Sequence, residues 1–188
     1  LGAIHLLNVS GMFVLSTPDI RIFHLMMMLS ILFLNKPTIQ KLTNNLVDNF
    51  LQFLLVFLSL LSGFYMIFSW ENIAMSGGDT TFLDIFSGIV ILFLILEATR
   101  RGIGLLLSII CLIFFTYPFY SHFLGGIFYS KGYSLERMAE FLTTTSQGVY
   151  GIPLGVSASY IILFSIYGSF LSQFGAGDFF FKLAKRIT

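Results

Sequence analysis

The sequence predicts an all-α, polytopic membrane protein with about six transmembrane helices plus short interfacial amphipathic helices, and three observations predict it. The first is composition: 56% of the 188 residues are hydrophobic and only 10% are charged, whereas a soluble domain carries about 25% charged residues. So few ionisable groups cannot clothe a water-facing surface, and the mean hydropathy of +0.90 says the same. The second is length, because several apolar runs approach the roughly 20 residues that a helix rising about 1.5 Å per residue needs to cross a hydrocarbon core. The third is the placement of Lys and Arg, which fall in alternate loops when the apolar runs are counted as crossings. A formal net charge of +1 leaves no basic footprint for nucleic acid. Cys111 is the single cysteine, so no internal disulfide is possible, and among Ile and Leu it reads as a small hydrophobe.

The first 34 residues are best divided in two. As one helix they would place Asp19, Arg21 and His24 near the bilayer centre, where Asp and Arg cost about 2.5–3.5 kcal/mol each. Pro18 would also remove a backbone hydrogen bond there. Two helices, Leu1–Leu15 and Ile20–Leu34, joined by a turn at Thr17–Asp19, avoid both costs. Spans then follow at Phe50–Trp70, Phe82–Leu96, Gly102–Ser121 and Pro153–Leu171. A polar linker, Asn35–Asn49, separates the second span from the third. The chain begins on Leu1 and stops on Thr188 after a basic cluster, which reads as a piece of a longer protein.

Two stretches read as interfacial. In Ser134–Thr145, Ser134 suits the N-cap, Glu136 suits the positive end of the helix dipole, and Leu135, Met138 and Leu142 share a face. After Gly175 and Gly177, which read as helix stops, Asp178 can cap a second such helix. Phe179, Phe180, Phe181 and Leu183 supply its apolar area, and Lys182, Lys185 and Arg186 its charge.

Orientation follows the basic residues. Lys36 and Lys41, then Arg100 and Arg101, then Lys182, Lys185 and Arg186 all fall on one side of six alternating spans. That side is cytoplasmic, and so is the N-terminus. Tyr65, Trp70, Tyr117 and Tyr120 sit near the outer helix ends, where an aromatic belt is expected.

Candidate chemistry is sparse. Glu97 precedes Arg100 and Arg101 by three and four residues, the spacing at which helical side chains meet, and reads as a structural ion pair at a helix end. A coupling-ion role for this carboxylate is the competing reading, though the arginine pair would compete with a cation. Asp84 reads as a solvated loop residue or a helix cap. His5, His24 and His122 are scattered, with no second ligand at helical spacing, so no metal site is expected. No paired catalytic set stands out, and no enzyme is expected. The run Thr143, Thr144, Thr145, Ser146 and Gln147 either lines a polar cavity or finishes an interfacial helix in water and satisfies the backbone freed near Gly148 and Pro153.

The phrase GIPLGVSA, spanning Gly151, Pro153 and Gly155, leads into an aromatic-rich helix and then GAGDFF at Gly175–Phe180. This pattern resembles the start of the large permease subunit of TRAP (tripartite ATP-independent periplasmic) transporters, in the TAXI-type branch where small and large subunits are fused. Upstream, LEATRRGIG at Leu96–Gly104 resembles the end of the small-subunit region in the same proteins. The resemblance implies a division into residues 1–98 as the small-subunit-like four-helix region, 99–133 as a linking helix and loop, and 134–188 as the opening of the large subunit. It implies secondary uptake of a solute across the inner (plasma) membrane, driven by a sodium gradient and served by an extracytoplasmic solute-binding protein. The partners it implies are therefore the bilayer, that binding protein and the remainder of the large subunit. It implies no organic cofactor, and it puts the sodium and substrate sites beyond Thr188, leaving these residues mainly scaffold. In that scaffold Glu97, Arg100, Arg101, Gly151, Pro153, Gly175, Gly177 and Asp178 set helix ends and orientation. A structural or assembly membrane protein without a transport role is the alternative from another class.

Overall fold

The computed structural model describes residues 1–36, 45–76 and 80–187, and among these the chain is all-helical. Nine α-helices follow in order. They are α1 (Gly2–Val9), α2 (Thr17–Asn35), α3 (Asn45–Met75), α4 (Phe82–Gly102), α5 (Leu105–Tyr120), α6 (Leu135–Thr143), α7 (Ile152–Val156), α8 (Ile162–Gln173) and α9 (Ala176–Ile187). A π-helical turn, Ser157–Ile161, joins α7 to α8, so Ile152–Gln173 is one continuous rod. Five helices among the described residues are long and apolar enough to cross a membrane: α2, α3, α4, α5 and the Ile152–Gln173 rod. Lys41, Asp79 and most of the Asn35–Asn49 linker lie outside the described residues.

The expected crossing over Leu1–Leu15 is not formed. With 8 residues α1 is only about 12 Å long. It stops because Gly11 takes a left-handed conformation (φ 75°) and Asn8 Oδ1 accepts the Leu15 amide at 2.8 Å, folding the chain back. The expected turn at Thr17–Asp19 is likewise displaced. Those residues form the first turn of α2, where Ser16 is the N-cap and accepts the Asp19 amide at 3.3 Å. Pro18 sits in that first turn, whose amides have no intrahelical acceptor, and therefore breaks nothing. A cytoplasmic N-terminus, which requires a sixth crossing, does not follow from α1 as it stands.

The centre of the fold is α2 against α3 and α4. Gly63 lets α3 close on Met26: a Cβ there would lie 2.7 Å from the Met26 side chain. The Met26 carbonyl accepts from Ser30 Oγ at 2.8 Å and Ser59 Oγ at 3.1 Å, tying α3 to α2. Ile22, Met66, Ile73, Ile91 and Tyr150 form one buried cluster, and Leu29, Phe33, Leu55, Leu94 and Ala98 form a second. α4 extends through Gly102, and α5 starts only at Leu105 after Gly104 (φ 131°), so the fifth span begins later than Gly102. Around α5, Leu105, Leu106 and Phe114 are exposed, a surface suited to lipid.

Several local expectations need correction. α6 has Ser134 as its N-cap, accepting the Arg137 amide at 3.2 Å, and the side chains it buries against the rest of the protein are Ala139 and Thr143. The cause is close approach to α4, since a Cβ on Gly88 would collide with Thr143 Oγ1, so the smallest side chains occupy the contact. Tyr65 and Trp70, expected in an aromatic belt, are half-buried against other side chains. Tyr65 donates to Asp84 Oδ1 at 2.8 Å, and the Trp70 ring stands edge-on to Tyr150 at 5.5 Å. Asp84 is a cap but is not solvated: it is 3% exposed and closes a reciprocal capping box with Thr81. Gly175 (φ 75°) ends α8, whereas Gly177 and Asp178 lie within the first turn of α9, so neither precedes that helix as a stop or cap. The side chain of Asp178 lies outside what is described.

Candidate functional site

Polar groups gather in two places. The first is the Gly102 end of α4. Arg100 grips Glu97 with two bonds of 2.7 Å, Nε to Oε2 and Nη2 to Oε1, and Arg101 Nε donates to Oε1 at 2.7 Å. The Arg101 side chain is 1% exposed, donates to the Lys36 carbonyl at 3.1 Å and lies 5.1 Å over the Phe33 ring. Helical spacing brings the three charges together, and α2 supplies the roof. With both its oxygens engaged by guanidinium groups, Glu97 holds Arg101, and Arg101 in turn ties α4 to the end of α2 through the Lys36 carbonyl and the Phe33 ring.

The second place is the meeting of α1, α2 and the Ile152–Gln173 rod. Gly148 permits the turn into the rod by closing on the Leu142 backbone, and Val149 N–H donates to the Leu142 carbonyl at 2.7 Å. Gly151 is the N-cap of α7, and Pro153 sits in its first turn. From α2, Arg21 Nη1 donates to the Tyr150 carbonyl at 2.8 Å, and the guanidinium lies flat enough on Gly155 that a Cβ there would come within 2.8 Å of it. One turn further along α2, His24 Nε2 lies 3.0 Å from Ser157 Oγ, and its Nδ1 lies 3.0 Å from His5 Nε2. His5 and His24 are 1% and 2% exposed. Burial also holds the Tyr150 phenol well above its usual range, so it stays neutral.

Beside this cluster opens a cavity of about 440 Å³, lined by Thr17, Arg21, Trp70, Thr144, Thr145 and Ser146 among others. Part of the hydroxyl run therefore faces a polar cavity. Thr143 does not, being fully buried and bonded to the Ala139 carbonyl at 2.7 Å. Thr144 and Thr145 also donate to their own helix, to Glu140 O at 2.6 Å and Phe141 O at 2.7 Å. They consequently present acceptor lone pairs to the cavity, while Arg21 presents N–H donors.

The sequence pattern puts Arg21 at the head of the second helix and leaves His5 and His24 apart, and in neither case does it reveal the tertiary contact. The partners lie 129, 19 and 133 residues apart for Arg21–Tyr150, His5–His24 and His24–Ser157. The one usable signal was three ionisable residues among apolar neighbours, which in a membrane rod argues for inward-facing partners. No group of three metal-ligating side chains occurs among the described residues. Comparison of the chain with protein-family models, with curated proteins and with solved structures found no match.

Proposed function

We propose that this chain is a membrane-embedded portion of a secondary, cation-gradient-driven permease of the TRAP type, acting mainly as scaffold. The observation that carries the reading is the Ile152–Gln173 rod. It opens on the GIPLGVSA phrase, seats Gly155 and Ser157 on α2, rests Ile166 against Gly2 of α1, and leaves residues 167–173 exposed. A permease scaffold needs such an element, held at one end and free along the rest for a neighbouring helix layer. The solute and sodium sites then belong to the remainder of the large subunit, with an extracytoplasmic binding protein delivering the solute. The basic ends, Lys36, the Arg100–Arg101 pair and Lys185, face the cytoplasm of a plasma membrane.

Reconstitution tests this directly. Liposomes holding residues 1–188 alone, given a sodium gradient and a candidate binding protein, should take up no more solute than empty ones. Adding the remainder of the large subunit should start sodium-dependent uptake. Uptake by residues 1–188 alone would show that the transport site has been misplaced. For topology, Cys placed at Lys185 and at Lys131 should label from opposite sides, and labelling from one side would rule out the orientation.

A further inference from the structure

The bonds around His5 and His24 admit only one arrangement of protons in the neutral state. His5 Nδ1 lies 3.2 Å from the Leu1 carbonyl, which can only accept, so that nitrogen carries the His5 proton. His5 Nε2 is then an acceptor, and across 3.0 Å His24 Nδ1 must be the donor. His24 Nε2 is left as an acceptor, and Ser157 must turn its hydroxyl toward it across 3.0 Å. Three bonds thus run in one direction, from the rod through α2 to α1.

We propose that His5, His24 and Ser157 form a buried binding site for a single proton, set between α1, α2 and the π turn of the rod. The proton binds at His24 Nε2, whose N–H then donates to Ser157 Oγ. Ser157 in turn redirects its own hydroxyl hydrogen away from His24. The charge is shared with His5 by movement of the bridging proton from His24 Nδ1 to His5 Nε2. No bond other than N–H is made or broken, and hydronium is the source. A second proton is excluded because it would set two imidazolium charges side by side with no anion between them. The charged group beside the pair on α2 is Arg21, one turn before His24 and bonded to the Tyr150 carbonyl. The rod brings Tyr160 and Tyr167, which point outward at 63% and 62% exposed. α3 and α4 pack against the Met26 side of α2, about 200° around the helix from His24. They keep Tyr65 on Asp84, and Glu97 on Arg100 and Arg101. The site lies at a π turn, a feature that recurs at functional positions in helices. It requires only the membrane placement of the chain and not the permease reading.

The test is ¹⁵N-imidazole NMR of the protein in lipid nanodiscs through a pH titration around the ordinary histidine value of about 6.5. His122, exposed beyond the end of α5, is the internal reference. At high pH, His5 and His24 should both show the Nδ1–H tautomer. On acidification they should take up one proton between them in one shared step. Ser157→Ala removes the acceptor of the charged form, and its loss should lower the midpoint of the shared step by about one pH unit, because bonds to charged groups are the stronger ones. Independent uptake of one proton by each of His5 and His24, an Nε2–H tautomer at His5, or a midpoint indifferent to Ser157→Ala would each overturn the proposal. The wild-type titration decides the matter even where the variant folds poorly.

Discussion

The three helices α2, α3 and α4 and the two rods α5 and Ile152–Gln173 are of similar apolarity, yet they are packed very differently. In the apolar stretches of the first three, 39%, 28% and 33% of residues are buried, against 6% in each rod. Hydrophobicity cannot account for this, because lipid tails are as apolar as leucine. What separates the two groups is small residues and hydroxyls placed where a neighbour can use them. Gly63, Ser30 and Ser59 bring α3 onto Met26, Gly88 admits Thr143, and Asp84 receives Tyr65. α5 has only Ser108, Cys111, Thr116 and Pro118 smaller than Leu, and of these, among the described residues, Ser108 alone reaches a neighbouring helix, donating to the Leu96 carbonyl at 3.2 Å. The rod has its small residues in two groups, of which only the first, Gly155 to Ala158, has found a surface.

The largest expected effect comes from the charged contact that ties α4 to α2. Glu97→Ala removes the carboxylate held between Arg100 and Arg101 and should lower stability by about 2–3 kcal/mol, intermediate between exposed and fully buried pairs. Denaturation in detergent measures it. In the complete transport system, Glu97→Gln should reduce assembly while leaving sodium dependence intact, and a selective change in sodium affinity would make Glu97 a coupling residue instead. Next in size is Gly88→Ala, which forces α4 off Thr143 and should cost about 1–2 kcal/mol. Thr143→Ala should recover part of that loss in the double variant, and strict additivity would remove the contact from the argument.

The interior of the packed trio also contains a flaw. Ser87 Oγ is buried with no hydrogen-bond partner among the described residues, beside an apolar cavity of about 240 Å³. Ser87→Ala should therefore raise the melting midpoint, by about 1 kcal/mol in stability terms. A fall would mean that the hydroxyl is satisfied. The smallest effect is expected on the uncovered rod. A Cβ on Gly168 meets no heavy atom within 4 Å among the described residues, so Gly168→Val should leave this chain unchanged. Loss of assembly in the complete system, with no loss here, would place a neighbouring helix on that face.

The parts of the fold legible in the sequence are those governed by local pattern. Hydropathy and length found the spans from α2 onward, and Ser134 as the N-cap of α6 came from residue type alone. Spacing placed Glu97 within reach of Arg100 and Arg101. Contacts across the fold were not legible. Asn8 ending α1 depends on a turn through Gly11, and the choice of Ala139 and Thr143 over Leu135 and Leu142 depends on Gly88 standing opposite. His5, His24 and Ser157 meet only because α1 returns to the rod. The π turn left no compositional mark, since SASYI would continue an α-helix equally well.

That turn determines where the rod points. Ile162 N–H donates to the Ser157 carbonyl five residues back, so one residue more than a regular turn needs is accommodated there. Each residue advances a helix by about 100°, and the extra one acts as a phase offset between α7 and α8. Gly155 and Ser157 can face Arg21 and His24 while Gly168 and Ser169 look in a direction that regular winding would not give them. Removing Ser159 alone would restore regular winding and leave the face of α8 where it is, whereas winding all of these residues regularly would swing that face round by about 100°. The identity of the helix face offered to a neighbour is thus set by an insertion of a single residue, at the same turn that carries the hydroxyl bonded to His24.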